Sequence, residues 1–97
     1  MAFEVLFARE AESDFGQIRL FYRRQILDAI EAHLSYTPTE VRRSRVKRLR
    51  LLESPAYRLR VGDFRVYYDV DEMEQVVTVL RILSKEQSLV YLGEVDG

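Results

Sequence analysis

The stretch YRLRVGDFRVYYDV, residues 57–70, constrains the fold more than any other part of the chain. Apolar and polar residues alternate on both sides of Gly62-Asp63. That pattern marks two strands joined by a two-residue turn with glycine first, the type II′ hairpin whose twist matches its strands. The turn sets the register: Val61 faces Phe64, Arg60 faces Arg65, Leu59 faces Val66, Arg58 faces Tyr67 and Tyr57 faces Tyr68. Successive strand side chains point to opposite faces, so Tyr57, Leu59, Val61, Phe64, Val66 and Tyr68 form one apolar face. Arg58, Arg60, Arg65 and Tyr67 share the other. Arg60 and Arg65 become a non-hydrogen-bonded pair, where cross-strand side chains come closest. Unit charges about 6 Å apart repel by roughly 0.7 kcal/mol in water and roughly 3 kcal/mol at an effective dielectric near 20. Like charges set opposite each other destabilise a sheet. Two explanations stay open. Either Arg60 pairs with Asp69 or a nearby glutamate and the arginine stems cover apolar surface, or the uncovered face is an anion site. Planar guanidinium forks suit phosphate, whose oxygens they bind bidentately.

The remaining elements follow from periodicity. Phe3, Val5 and Phe7 alternate with Glu4 and Leu6, predicting a strand over residues 2–8. Ala8, Ala11, Phe15 and Ile18 recur at helical spacing with acids on the far side, predicting a short amphipathic helix that ends near Gly16. A second helix spans about 20–35 with Leu27, Ile30 and Leu34 as its core stripe, and Tyr36-Thr37-Pro38 stops it. Residues 39–56 read as a basic connection with a short extended piece near 46–52. Strands follow at about 56–62, 64–71 and 75–83, the last two joined by the polar turn Asp71–Glu74. QVVTVLRIL is almost continuously apolar, as a strand buried on both faces should be. The order β-α-α-β-β-β defines one α+β domain over residues 1–97, two N-terminal helices packed on one face of a twisted antiparallel sheet.

Charge is distributed unevenly. The chain carries a formal net charge of −1, yet nine of its fifteen basic residues fall between positions 41 and 65, among only two acids. A basic segment of this kind is the electrostatic footprint of a polyanion partner. VRRSRVKRLR supplies Arg42, Arg43, Arg45, Lys47, Arg48 and Arg50, either a surface that grips a polyanion such as RNA through charge rather than defined geometry, or a solvated loop of ordinary surface arginines. The chain has no cysteine, which excludes disulfides and thiolate metal sites. The lone histidine, His33, sits beside Ile30 and Leu34 with no second ligand type at metal spacing, so it reads as a surface or boundary residue. No apolar run is long enough to cross a bilayer and the N-terminus lacks signal-peptide character, so a cytoplasmic location is expected. No cofactor is implied.

The segments AESDFGQI, RVKRLR, YRLRVGDFRVYY, VVTVLRIL and SKEQSLVY together resemble the RelE/ParE superfamily of bacterial toxins from type II toxin–antitoxin pairs. The likeness covers essentially the whole chain, and the hairpin followed by arginine and tyrosine is its most specific part. In that superfamily RelE-like members cut mRNA in the ribosomal decoding site, and ParE-like members poison DNA gyrase. The basic and tyrosine positions of the RelE-like nucleases correspond to Arg58, Arg60, Arg65, Lys85 and Tyr91, which favours the nuclease branch. The chain departs from the pattern at Lys85, where arginine is typical, and at Gln87, which is often basic. Glu94 and Asp96 stand where they would fold back over the arginines.

The resemblance implies a metal-independent endoribonuclease, with the RNA's 2′-hydroxyl attacking the adjacent phosphorus. Arg60 and Arg65 would stabilise the transition state, and Arg58 and Lys85 would orient the backbone. Tyr91 would be the base, nearby cations lowering its pKa, or would stack on a nucleobase. A C-terminal aromatic packed on the core is the structural alternative. Arg81, inside the apolar strand, reads as an ion-pair partner. The implied partners are a cognate antitoxin, with mRNA and the ribosome as targets. A gyrase inhibitor and an inactive antitoxin-binding relative remain as rival readings.

Overall fold

The computed structural model describes residues 2–43, 45–49 and 53–96, the last three by backbone alone. Its elements run β1 (Glu4–Phe7), α1 (Arg9–Gly16), α2 (Leu20–Leu34), β2 (Val46–Arg48), β3 (Tyr57–Val61), β4 (Phe64–Asp71), β5 (Val76–Ser84) and α3 (Lys85–Asp96). The β3–β4 hairpin adopts the register that alternation dictates, from Val61 opposite Phe64 to Tyr57 opposite Tyr68. Gly62 holds φ +57, the left-handed value that the first turn position of a II′ hairpin requires. At the next turn, the Asp71 carboxylate accepts from the backbone N–H groups of Met73 (3.1 Å) and Glu74 (3.0 Å). The side chain thereby closes the turn between β4 and β5.

The five strands lie in the order β1-β5-β4-β3-β2. β2–β3, β3–β4 and β4–β5 are antiparallel, as expected, while β1 runs parallel to β5 with Val5 opposite Val77 and Phe7 opposite Val79. β5 is therefore an interior strand, which its nearly unbroken apolar sequence requires. β1 covers only the first half of β5, and α1 closes the rest. Ile82 N–H donates to the Asp14 carboxylate at 3.0 Å in place of a strand neighbour.

The core lies between the helices and the apolar face of the sheet, built from Ile26, Ile30, Leu34, Leu59, Val66, Tyr68, Val77, Val79 and Ile82. The stripe of α2 is rotated by one residue from the predicted one. Ile26, not Leu27, joins Ile30 and Leu34 inside, and Leu27 is left 45% exposed. The i, i+4, i+8 spacing of 26, 30 and 34 keeps all three on one line of the helix. At the α1–α2 junction, Arg23 donates from Nε to Ile18 O and from Nη2 to Gly16 O, both at 2.7 Å. Its guanidinium also lies over the Phe15 ring at 5.6 Å. The bond to Gly16 O satisfies a carbonyl that the end of α1 leaves open.

α3 was not foreseen as a helix. It starts on a reciprocal capping box: Gln87 N–H donates to Ser84 Oγ (3.1 Å) and Ser84 N–H donates to Gln87 Oε1 (2.9 Å). The S-K-E-Q spacing carries this signal in the sequence. It also accounts for a neutral glutamine at 87.

Candidate functional site

The face of the sheet turned away from α1 and α2 presents two cross-strand rows. One pairs Arg60 with Arg65 and then Leu83; the other runs Lys47, Arg58, Tyr67, Arg81. Arg60 N–H donates to Arg45 O at 2.7 Å, so this residue's backbone bonds outward to the β2 side and not to Arg65. That leaves Arg60 and Arg65 as the close, non-hydrogen-bonded pair. The pairing of like charges deduced from the register is thus present in the fold.

No internal carboxylate relieves it among the described residues. The ion pairs there are Arg42–Glu40 (3.3 Å) and Arg81–Asp14 (2.7 Å), and neither involves Arg58, Arg60 or Arg65. Asp69, the suspected partner of Arg60, accepts instead from Ser54 Oγ (2.5 Å) and Ala56 N–H (2.7 Å), tying down the loop before β3. The side chains of Glu94 and Asp96 lie outside the described residues. Arg58 is half-buried, and its Nε is enclosed without a hydrogen-bond partner. Burial first, then Arg65 and more weakly Arg60, push its pKa down, with Tyr67 acting in the opposite direction. Arg65 folds over the hairpin tip, its Nη1 donating to Gly62 O (2.9 Å) and Phe64 O (3.0 Å). Lys85 reaches the same end: its backbone N–H donates to Asp63 O at 2.9 Å, and its side chain is exposed.

Tyr91, from α3, covers Tyr67 with ring centroids 5.1 Å apart and lies under the Arg81 guanidinium at 5.4 Å. The five expected site residues are thus placed on, or at the rim of, one side of the sheet. The expected ionisation of Tyr91 is corrected. Burial raises its pKa, Arg81 only partly offsets this, and Asp69, Tyr67 and Asp14 add to the rise. The phenol is protonated at neutral pH.

Arg81 is the ion-pair partner that its buried strand suggested. It donates from Nε (2.7 Å) and Nη2 (3.0 Å) to the two oxygens of Asp14, which raise its pKa. In the basic segment, Arg43, Arg45 and Lys47 are exposed. Arg48 is structural: its Nη1 donates to Leu49 O (3.0 Å) and Ala56 O (2.8 Å), and its guanidinium lies over Tyr57 at 5.2 Å. Arg50 lies outside the described residues. His33 is partly buried with Nδ1 enclosed and unpartnered; burial, Arg45 and Arg42 lower its pKa. Among the described residues no group of His, Asp or Glu side chains is arranged to hold a metal, and no helix is long and apolar enough to cross a membrane.

The family model of the ParE toxins of type II toxin–antitoxin systems matches residues 5–89. The chain belongs to that family, within the RelE/ParE superfamily. Similar solved structures come from its RelE branch. The toxin of the Mycobacterium tuberculosis RelBE2 toxin–antitoxin complex matches with TM-score 0.72 and 23% identity over 87% of this chain and 99% of that one. The archaeal RelE–RelB complex of Pyrococcus horikoshii gives 0.63 and 19% over 88% and 97%. A free-state variant of E. coli toxin RelE gives 0.58 and 21% over 94% and 92%. At these identities the likeness shows a shared fold. No curated protein matches by sequence.

Proposed function

We propose that this chain, the toxin component of a type II toxin–antitoxin pair, is an endoribonuclease that cuts mRNA at the ribosome through the RNA's own 2′-hydroxyl. The observation that carries this reading is the arginine face, unneutralised among the described residues, and within it the stranded Nε of Arg58. A buried charged donor without an acceptor costs free energy that an incoming anion returns. A phosphodiester supplies both the charge and the oxygens.

In the reaction the 2′-oxygen–phosphorus bond forms and the phosphorus–5′-oxygen bond breaks, leaving a 2′,3′-cyclic phosphate and a 5′-hydroxyl. Arg60 and Arg65 hold the phosphorane oxygens, and Arg58 and Lys85 fix the strand's path. The 2′ proton leaves to solvent. The protonated Tyr91 phenol suits donation to the departing 5′-oxygen better than abstraction from the 2′-hydroxyl. The rate enhancement then comes from placed positive charge rather than from a tuned base. Arg43, Arg45, Lys47 and Arg50 add affinity for ribosomal RNA. The partner is a cognate antitoxin with an acidic segment laid over the arginines and an amphipathic helix or strand on the helix pair and sheet. The groove of Val5, Leu6, Phe7, Phe15 and Leu27, with Glu12 at its wall, offers a mainly apolar seat for its amphipathic segment.

Purified protein mixed with ribosome-bound and with free mRNA, with cut positions and end groups mapped, tests the reading. Cuts bearing cyclic phosphate and 5′-hydroxyl ends are expected, and their absence with both substrates rejects it. The family match favours one rival, a gyrase inhibitor. Induction would then provoke a DNA-damage response without mRNA cuts. An inactive relative would leave growth unaffected.

A further inference from the structure

At the same end of the sheet as Arg65 and Lys85, but on the helix side, a cleft of about 390 Å³ opens beneath the α1–α2 junction. Its wall includes Asp14, Arg19, Tyr22, Phe64, Ser84 and Gln87. The volume lies at the small end of the range for small-molecule pockets, about 300–1,000 Å³. We infer that this cleft takes one nucleobase of the bound RNA, the nucleotide whose phosphate lies at the Arg65–Lys85 end of the arginine face. The inference rests on the nuclease reading and adds a base-binding subsite to it.

Aromatic geometry is the first support. Tyr22 and Phe64 meet with ring centroids 5.4 Å apart, and Phe21 abuts Tyr22 at 5.1 Å. Phe21 is 70% exposed and Tyr22 37% exposed, so this cluster shows its rings to solvent beside the cleft. Exposed rings next to a cationic surface are the combination that binds single-stranded nucleic acid, because every base has a face to stack.

Polar chemistry is the second. Asp14 lies in the wall with both carboxylate oxygens already accepting from Arg81 and Ile82 N–H, so the free hydrogen-bonding groups come from its neighbours. Gln87 commits its Oε1 to the Ser84 N–H, so its side-chain amide hydrogens remain as donors for a base's carbonyl or ring nitrogen. Ser84 Oγ accepts from Gln87 N–H and keeps its own proton to donate. The wall therefore offers hydrogen-bond donors beside an aromatic surface, which matches the acceptors and the face of a heterocycle.

Connectivity is the third. Phe64 and Ser84 are opposite one another across β4 and β5, and each is followed directly by a cation of the proposed phosphate site, Arg65 and Lys85. The Arg65 guanidinium bends back onto Phe64 O. One nucleotide can thus have its phosphate at the hairpin tip and its base turned over the end of the sheet into the cleft.

The test is equilibrium binding of a short 2′-O-methyl RNA, which the 2′-attack cannot cleave, to the purified full chain, repeated with a single abasic residue moved along the strand. One position is expected to stand out, its abasic form binding roughly 5- to 150-fold more weakly, the range of base–aromatic stacking. In Tyr22→Leu that position-specific loss should shrink toward parity while the salt dependence of binding stays the same. Tyr22→Phe should behave as the parent. Salt-dependent binding with a flat abasic profile overturns the inference and leaves the nuclease reading standing, as does a profile that Tyr22→Leu does not alter. Failure to bind the RNA at any salt also overturns the inference, and the mRNA-cleavage assay decides the nuclease reading separately. The scan on the unaltered chain decides the matter even if Tyr22→Leu does not fold.

Discussion

Arg58 and Arg81 flank Tyr67 in one row of the sheet, and the fold treats them in opposite ways. Arg81 has both oxygens of Asp14, at 2.7 and 3.0 Å, and its pKa is raised. Arg58 has two other arginines for neighbours, an unpartnered Nε and a lowered pKa. The contrast teaches how to separate a cation that holds the fold from one that awaits a ligand. A partnered guanidinium stabilises the molecule that contains it, whereas an unpartnered, half-buried one is costly until an anion from elsewhere arrives.

The largest effect expected from this contrast is on activity at the open end. Arg65→Ala should lower mRNA cleavage by about two to three orders of magnitude, roughly 3–4 kcal/mol of transition-state stabilisation, while the thermal midpoint barely moves. Growth inhibition should vanish with it; a variant as toxic as its parent would show the site to be elsewhere. Next comes Asp14→Ala at the quenched end. It removes the Arg81 pair and the acceptor for Ile82 N–H together, an expected loss of about 2–3 kcal/mol in denaturant unfolding. RNA affinity of the folded fraction should change little.

Arg58→Met sharpens the comparison because the two readouts should diverge. Stability should rise by about 1 kcal/mol as the enclosed donor is removed. RNA binding should weaken, with its log–log salt slope reduced by roughly 0.7, one phosphate contact on a single strand. A fall in stability instead would mean that Arg58 is structural, like Arg81.

The smallest effect concerns His33, whose pKa is held below the usual 6.5. Below pH 6.5 the unfolded chain takes up the proton more readily than the folded one, so stability should fall as pH drops from 7 through this window. His33→Gln should flatten that slope in pH-dependent melting curves. An unchanged slope would assign the loss to other groups.

Much of the fold could be read locally. The hairpin register follows from a two-residue turn and strict alternation, so the side of the sheet shared by Arg58, Arg60 and Arg65 was fixed before any coordinates. The α2 stripe was misread by one residue because both Leu27 and Ile26 are apolar, and only packing against the sheet chooses between them. The S-K-E-Q spacing carries the capping box that starts α3, a signal that apolar periodicity does not contain. Tyr91 could be placed near the cations by resemblance, but the direction of its pKa depended on burial against Tyr67 outweighing the Arg81 charge.

Alternation along neighbouring strands is a property of the chain, set by backbone geometry and a short turn, and it determined which residues crowd together. Which of the resulting charges are neutralised was decided by elements far apart in the sequence, Asp14 reaching Arg81 and Asp69 turning to Ser54 and Ala56. Charge pairing depends on distances through space, and those exist only once the helices have packed against the sheet.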